Sequence, residues 1–256
     1  MTATKMRRVD ALLADICRMF DVIALQGVQA QEDYIIPRLT ELMNKQGGRD
    51  FDYLVGPRLG PPGYQQQYAF VYDQQAVMCD RPELYTIDDR DNLMVQEPLV
   101  AWFRTVRAPA DKAFTFSLVN VSVEPEHAQL ELAVLDNVLL NVRDDGRGED
   151  DVILAGHFAA PSDQLGDLNR LSGIGYAVAS LPTDVEGRNS LDNIVFDKNA
   201  TIEFNGKSGV LDFLRELNLS LQEAVDISRH LPVWAEFSIY EGGEKGRMAT
   251  LSRQTQ

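Results

Sequence analysis

The chain has little cysteine, little histidine and little positive charge, and each shortage narrows what it can be. Cys17 and Cys79 are the only cysteines in 256 residues, and no short spacing pairs them. That excludes a disulfide framework and a cysteine-rich zinc module, and it suits buried thiols in a reducing compartment. Lysine and arginine total 24 against 39 acidic residues, a formal net charge of -15. A surface of that sign repels polyanions at long range, so nonspecific nucleic-acid binding is disfavoured, although a local basic stripe can still hold phosphate. Long apolar runs are missing as well: none approaches the ~20 residues needed to cross a bilayer. Asp10 and Asp15 interrupt the segment after Lys5, Arg7 and Arg8, so it does not read as a signal peptide. A cytoplasmic protein without membrane association is the expectation.

Hydrophobic residues make up 45% of the chain, enough for a sizeable core at this length. The spacing of Val9, Leu12, Leu13, Ile16 and Met19 predicts a helix over 7–20. A short, almost wholly apolar strand follows at 21–26. A second helix is predicted over 33–46, with Pro37 in its first turn. Residues 52–56 read as a strand and 60–63 as a loop. Residues 68–72 and 77–79 read as a hairpin, and 98–106 and 114–123 as two further strands. A long helix is expected over 126–143, with Leu130, Val134, Val138 and Val142 on one side. The charged run 144–151 reads as a surface turn; it lacks the twelve-residue ligand pattern of a calcium loop. Strands follow at 152–156, 191–196 and 233–239. Ser220 and Glu223 form a capping box that starts a short helix.

Strands outnumber helices, and several strand pairs have hairpin-length connections, which fits a doubly wound parallel sheet poorly. The order suits one α/β domain over 1–240, a four-layer α/β/β/α sandwich of two mainly antiparallel sheets. The polar, Gly-containing stretch 241–256 reads as a flexible tail.

Six segments, in this order and at these separations, resemble the endonuclease/exonuclease/phosphatase superfamily with its deoxyribonuclease I-like fold. They are Asp21 to Gln26, Gln67 to Tyr72, Leu118 to Val121, Asp151 to Gly156, Leu191 to Ile194 and Ser228 to Pro232. The resemblance implies phosphate-ester hydrolysis by a divalent metal, usually Mg²⁺, and an activated water. It also implies where the machinery should stand, and there the chain departs. Gly27 replaces an acidic residue and Gln66 a glutamate. Ser122 replaces a histidine on the strand bearing Asn120. His157 and Ala159 replace an aspartate and an asparagine, and Arg229 replaces the aspartate of the closing motif. The family's opening strand has no counterpart in residues 1–6 either: the strand is absent, which would leave strand edges that another chain could cover, or the chain begins later than its relatives.

Asp192 and His230 remain as the carboxylate–imidazole dyad, in which the carboxylate orients the ring and raises its pKa. The resulting expectation is a pseudoenzyme that acts by binding, as a protein partner or a homo-oligomer, with no cofactor. Asn120, Ser122, Arg58 and Arg229 are the candidate binding residues. Arg58 would face the former cleft. Arg229 would either anchor phosphate bidentately or pair with Asp192 and block the pocket. His127 reads as an exposed first-turn residue. The alternative is an active phosphoesterase or nuclease with a rebuilt centre of His157, Asp192 and His230, using Mg²⁺ or a transition metal such as Zn²⁺ or Fe²⁺.

Overall fold

Period-two alternation along the central strands decides which layer each side chain joins. The computed structural model describes residues 3–29 and 33–243. One sheet contains β1 (Val22–Val28), β2 (Phe51–Val55) and β3 (Gln67–Asp73) in the order β1-β3-β2. A second contains β4 (Val77–Cys79), β5 (Tyr85–Thr86), β6 (Leu99–Thr105), β7 (Thr115–Ser122), β8 (Val152–His157), β9 (Ile174–Tyr176) and β10 (Asp192–Asp197). Its order is β4-β6-β7-β8-β10-β9, with β5 on β6. Every pairing in it is antiparallel except β7 with β8. A two-stranded ribbon of β11 (Phe204–Val210) and β12 (Val233–Phe237) stands beside them.

Tyr68, Phe70 and Tyr72 of β3 point between the sheets, where they meet Leu99 and Phe103 of β6, Phe116 and Leu118 of β7, and Ile153 of β8. The intervening Ala69 and Val71 turn the other way, onto α1 (Ala3–Cys17) and α2 (Ile35–Lys45). On the far side, Val100, Val119, Val121, Val152 and Leu154 pack against α3 (Ala128–Leu132) and α4 (Leu135–Arg143). The layering is therefore α/β/β/α, as the sequence suggests. Phe103 is fully buried and touches the rings of Phe70, Tyr72 and Phe116 at centroid distances of 5.8, 5.6 and 5.6 Å. Removing such a ring costs about 3–5 kcal/mol. α5 (Phe213–Glu216) and α6 (Leu221–Ile227) close one side against α1, and Ser220 and Glu223 form the expected capping box. None of the described helices is long and apolar enough to cross a membrane.

Two expectations fail for identifiable reasons. β3 and β4 are not a hairpin: both edges of β3 are already taken by β1 and β2, so β4 crosses to pair with β6. The Asp73 carboxylate fixes the turn between them, accepting from Gln75 N at 3.0 Å and Arg49 Nε at 2.7 Å. The long helix over 126–143 is broken at Ala133 and Val134. Glu131 is fully buried and accepts from Val95 N and Glu124 N, both at 3.0 Å, while Leu130 is 49% exposed. The apolar stripe is thus interrupted by a buried carboxylate with its own backbone partners. The tail expected over 241–256 lies outside the described residues from 244 onward.

A cavity of about 1280 Å³ opens between the sheets. Val22 to Val28 line one wall and Pro232 to Ile239 the other. β1 pairs with β3 alone and β12 with β11 alone, so among the described residues neither strand has a partner on its other edge. The described chain ahead of β1 is helical.

Candidate functional site

Strand register brings the first candidate residues together. Asp192 sits opposite His157 across β10 and β8, and Ser122 sits opposite His157 across β7 and β8. Gly156, just before His157, has φ +146, and a Cβ there would lie 2.0 Å from Val121 O, so only glycine lets the strands approach this closely. His230 arrives from elsewhere in the chain. Its segment is held by Leu231 N donating to Thr183 O at 2.6 Å and Val185 N donating to Arg229 O at 3.0 Å.

Asp192 is the hub. His157 Nδ1 donates to its Oδ1 at 3.0 Å and His230 Nδ1 to its Oδ2 at 2.8 Å. Thr183 Oγ1 also donates to Oδ2, at 2.7 Å, while accepting from Leu191 N and Asp192 N. Burial pushes the Asp192 carboxyl up, but the hydrogen bonds from His157 and His230, with the attraction of the two rings, outweigh it and leave the group below the usual carboxylate range. The hydrogen bond to Asp192 raises the pKa of His230, against the opposing effect of burial. An ionised carboxylate only accepts, so both Nδ1 atoms carry the proton and both Nε2 atoms are turned away from Asp192. The rings meet edge to face, 4.9 Å between centroids. Two oriented imidazoles of this kind can hold an anion, pass a proton, or offer Nε2 lone pairs.

The other candidates divide. Ser122 stays in the row beside His157, partly buried. Asn120 is fully buried: it accepts from Gln26 Nε2 at 2.6 Å and donates to Leu25 O and Ala69 O at 3.1 and 3.2 Å. With its amide engaged on both sides, it is a strut between the sheets. Arg58 pairs with Asp33 at 2.6 Å and is not among the residues lining the large cavity. Arg229 is exposed and does not pair with Asp192, whose oxygens are taken by two imidazoles and a hydroxyl. His127 is exposed in a short 3-10 turn. Thr183 is the functional residue that sequence reasoning misses, since nothing in a loop of that composition marks it.

The Mg²⁺ that the resemblance implies does not fit these residues. At Gly27, where the chain bulges with φ +68, a Cβ would stand 3.5 Å from the neutral amide oxygen of Gln66. Among the described residues no carboxylate stands there, and Asp192 already holds three donors. Magnesium binds through carboxylates and retained waters, and these residues offer it no free carboxylate. His157, Asp192 and His230 do place one donor atom each within 4.8 Å of one another, a donor set suited to Zn²⁺ or Fe²⁺. Closing that set around an ion would break the two hydrogen bonds that orient the rings.

No family model matches the chain. It is 28% identical to deoxyribonuclease gamma of Rattus norvegicus over 259 residues, spanning 95% of this chain and 81% of that protein. It is 29% identical to deoxyribonuclease-1-like 1 of Sus scrofa over 252 residues, spanning 93% and 78%. Among solved structures, an endonuclease/exonuclease/phosphatase family protein from Leptotrichia buccalis superposes with TM-score 0.61 at 15% identity, covering 93% of this chain and 96% of that one. The human Nocturnin catalytic domain superposes with TM-score 0.59 at 14% identity, covering 94% and 88%. Deoxyribonuclease relatives along nearly the whole chain support the resemblance to the endonuclease/exonuclease/phosphatase superfamily, and the fold shared with these structures is the deoxyribonuclease I-like one.

Proposed function

We propose that this chain is a non-catalytic member of the endonuclease/exonuclease/phosphatase superfamily that acts by protein association. One observation carries the reading: among the described residues the cleft has no anionic cage. Gly27 and Gln66 stand side by side without a carboxylate, and Asp192 is saturated by His157, His230 and Thr183. Loss of a single metal ligand or general base costs orders of magnitude in rate, and several losses converge here. The slot between β1 and β12 supports association. Two strand edges face one apolar cavity, and an extended apolar segment of a partner protein would satisfy both by strand addition.

The test is hydrolysis of plasmid DNA, RNA and bis-(p-nitrophenyl) phosphate with Mg²⁺, Mn²⁺ and Ca²⁺. The expected turnover is indistinguishable from that of His230→Ala. A second reading, an active phosphoesterase rebuilt on His157, Asp192 and His230, draws on the two imidazoles oriented by one carboxylate. Robust turnover that His230→Ala abolishes would establish it and end the first.

A further inference from the structure

At the opposite end of β8 from His157 lies a second cluster, of another character. Asp151, just before β8, is 1% exposed; Glu203, before β11, is 2% exposed; Glu241, after β12, is open to solvent on one side. One carboxylate oxygen from each lies within 4.8 Å of the others. Glu149 and Asp150 stand beside Asp151. Among the described residues no lysine, arginine or histidine forms an ion pair with any of these five acids.

The cluster also holds buried polar atoms with nothing to bind. Asp151 Oδ1, Glu203 Oε2 and Thr201 Oγ1 have no hydrogen-bond partner. Thr201 is 2% exposed and its hydroxyl faces the Asp151 carboxyl. Elsewhere the same acids are well served. Glu203 Oε1 accepts from Gly242 N at 2.6 Å, Glu241 Oε2 from Thr115 N at 3.3 Å, and Glu149 from Trp102 Nε1 at 3.0 Å and Asp151 N at 3.1 Å. Three orphaned atoms thus meet in one place, one on Asp151 and two on the 201–203 segment. Buried carboxylates without partners carry a heavy desolvation penalty, which a bound cation removes.

We propose that Asp151, Glu203 and Glu241, with the Thr201 hydroxyl, form a calcium site. Every donor is a hard oxygen, which excludes a preference for soft metals. The arrangement is irregular and largely closed to water. Calcium accepts six to eight oxygens in flexible geometry, whereas magnesium keeps its waters and demands an octahedron. The exposed side of Glu241 gives the ion its way in. The ion would tie together the start of β8, the β10–β11 connection and the chain beyond β12. The site lies about 20 Å from His157, by the length of the strand between them, so it is structural, and it stands whether or not the cleft is catalytic.

The test uses the full chain stripped with chelator and titrated with CaCl₂, followed by calorimetry and thermal unfolding. The expected result is one ion per chain and a Tm rise of about 5–10 °C when free calcium is 100-fold above Kd. Magnesium at the same concentration raises Tm less. Asp151→Asn and Glu203→Gln fold with a Tm at or above that of the calcium-free parent and lose the response, while His230→Ala keeps it. The proposal is overturned if the folded parent shows no calcium-dependent rise, or if the rise survives in both variants. An equal or larger response to magnesium overturns the assignment to calcium.

Discussion

Two carboxylates lie at opposite ends of the same strand pair, both largely withdrawn from water, with opposite fates. Asp192 receives two imidazoles and a hydroxyl, and its carboxyl sits below the usual range despite burial. Asp151 is surrounded by acids; burial, the largest cause, pushes its carboxyl up to about 8, the Thr201 hydroxyl opposes it, and repulsion from Glu203, Glu241 and Glu149 adds to the rise. The lesson is that burial only sets the penalty. The neighbours decide whether a buried acid is an anion with a job or a group that waits for a proton or a cation.

Breaking the first end has the largest expected effect. Asp192→Ala removes the partner of two ring nitrogens and of the buried Thr183 hydroxyl, and should lower stability by about 3 kcal/mol in urea unfolding near pH 7. A loss under about 1 kcal/mol would mean that the hub holds little together.

The second end should respond with the opposite sign. In the folded chain Asp151 keeps its proton up to about pH 8, and in the unfolded chain it releases it near 3.8. Stability therefore falls as pH rises between those values in the absence of calcium. Asp151→Asn should flatten that decline and raise stability at pH 8 by at least about 2 kcal/mol without calcium. A variant less stable than the parent throughout that range would contradict the assignment.

The dyad also sets a pH signature of its own. Because the folded pKa of His230 is raised, its contribution to stability is complete below the unfolded value near 6.5 and fades as pH climbs through the higher folded value. Asp192, with a lowered pKa, contributes above about pH 4 and loses its contribution as pH falls through its folded value. An NMR titration should find the His230 ring titrating above 6.5, and Asp192→Asn should bring it down. An unchanged midpoint in that variant would remove Asp192 as the cause.

The smallest expected change is at Ala159, which holds φ +53 just beyond the site. Asparagine tolerates that left-handed conformation better than alanine. Ala159→Asn should stabilise by about 0.5 kcal/mol, read as a rise in Tm with the acidic end unaffected.

Much of the architecture was legible because alternation is a local signal. β1, β3, β7, β8, β10 and β12 all fall within a few residues of their expected places, and the Ser220–Glu223 box is formed as read. Pairing is not local: β4 looks like a hairpin partner until both edges of β3 are seen to be filled. β11, with Asn205, Gly206, Lys207 and Gly209 in it, carries no alternation to detect. The break at Ala133 depends on where Glu131 finds its backbone donors, which lie outside the helix.

The site shows the same division. His157, Asp192 and His230 were legible through the resemblance, whereas Thr183 and the strut role of Asn120 depend on contacts between distant segments. The run 144–151 read as a surface turn, yet it buries Glu149 and Asp151. It also lacks a loop pattern for calcium because the proposed ligands come from three separate stretches of chain.

Among the described residues divalent cations have no cage at the imidazole end, and the proposed one lies at the acidic end. Paramagnetic broadening by Mn²⁺ at substoichiometric amounts tests it directly. Signals of Thr201, Glu203 and Gly242 should broaden first while the rings of His157 and His230 stay sharp. Broadening centred on those two rings, with the acidic end untouched, would contradict it.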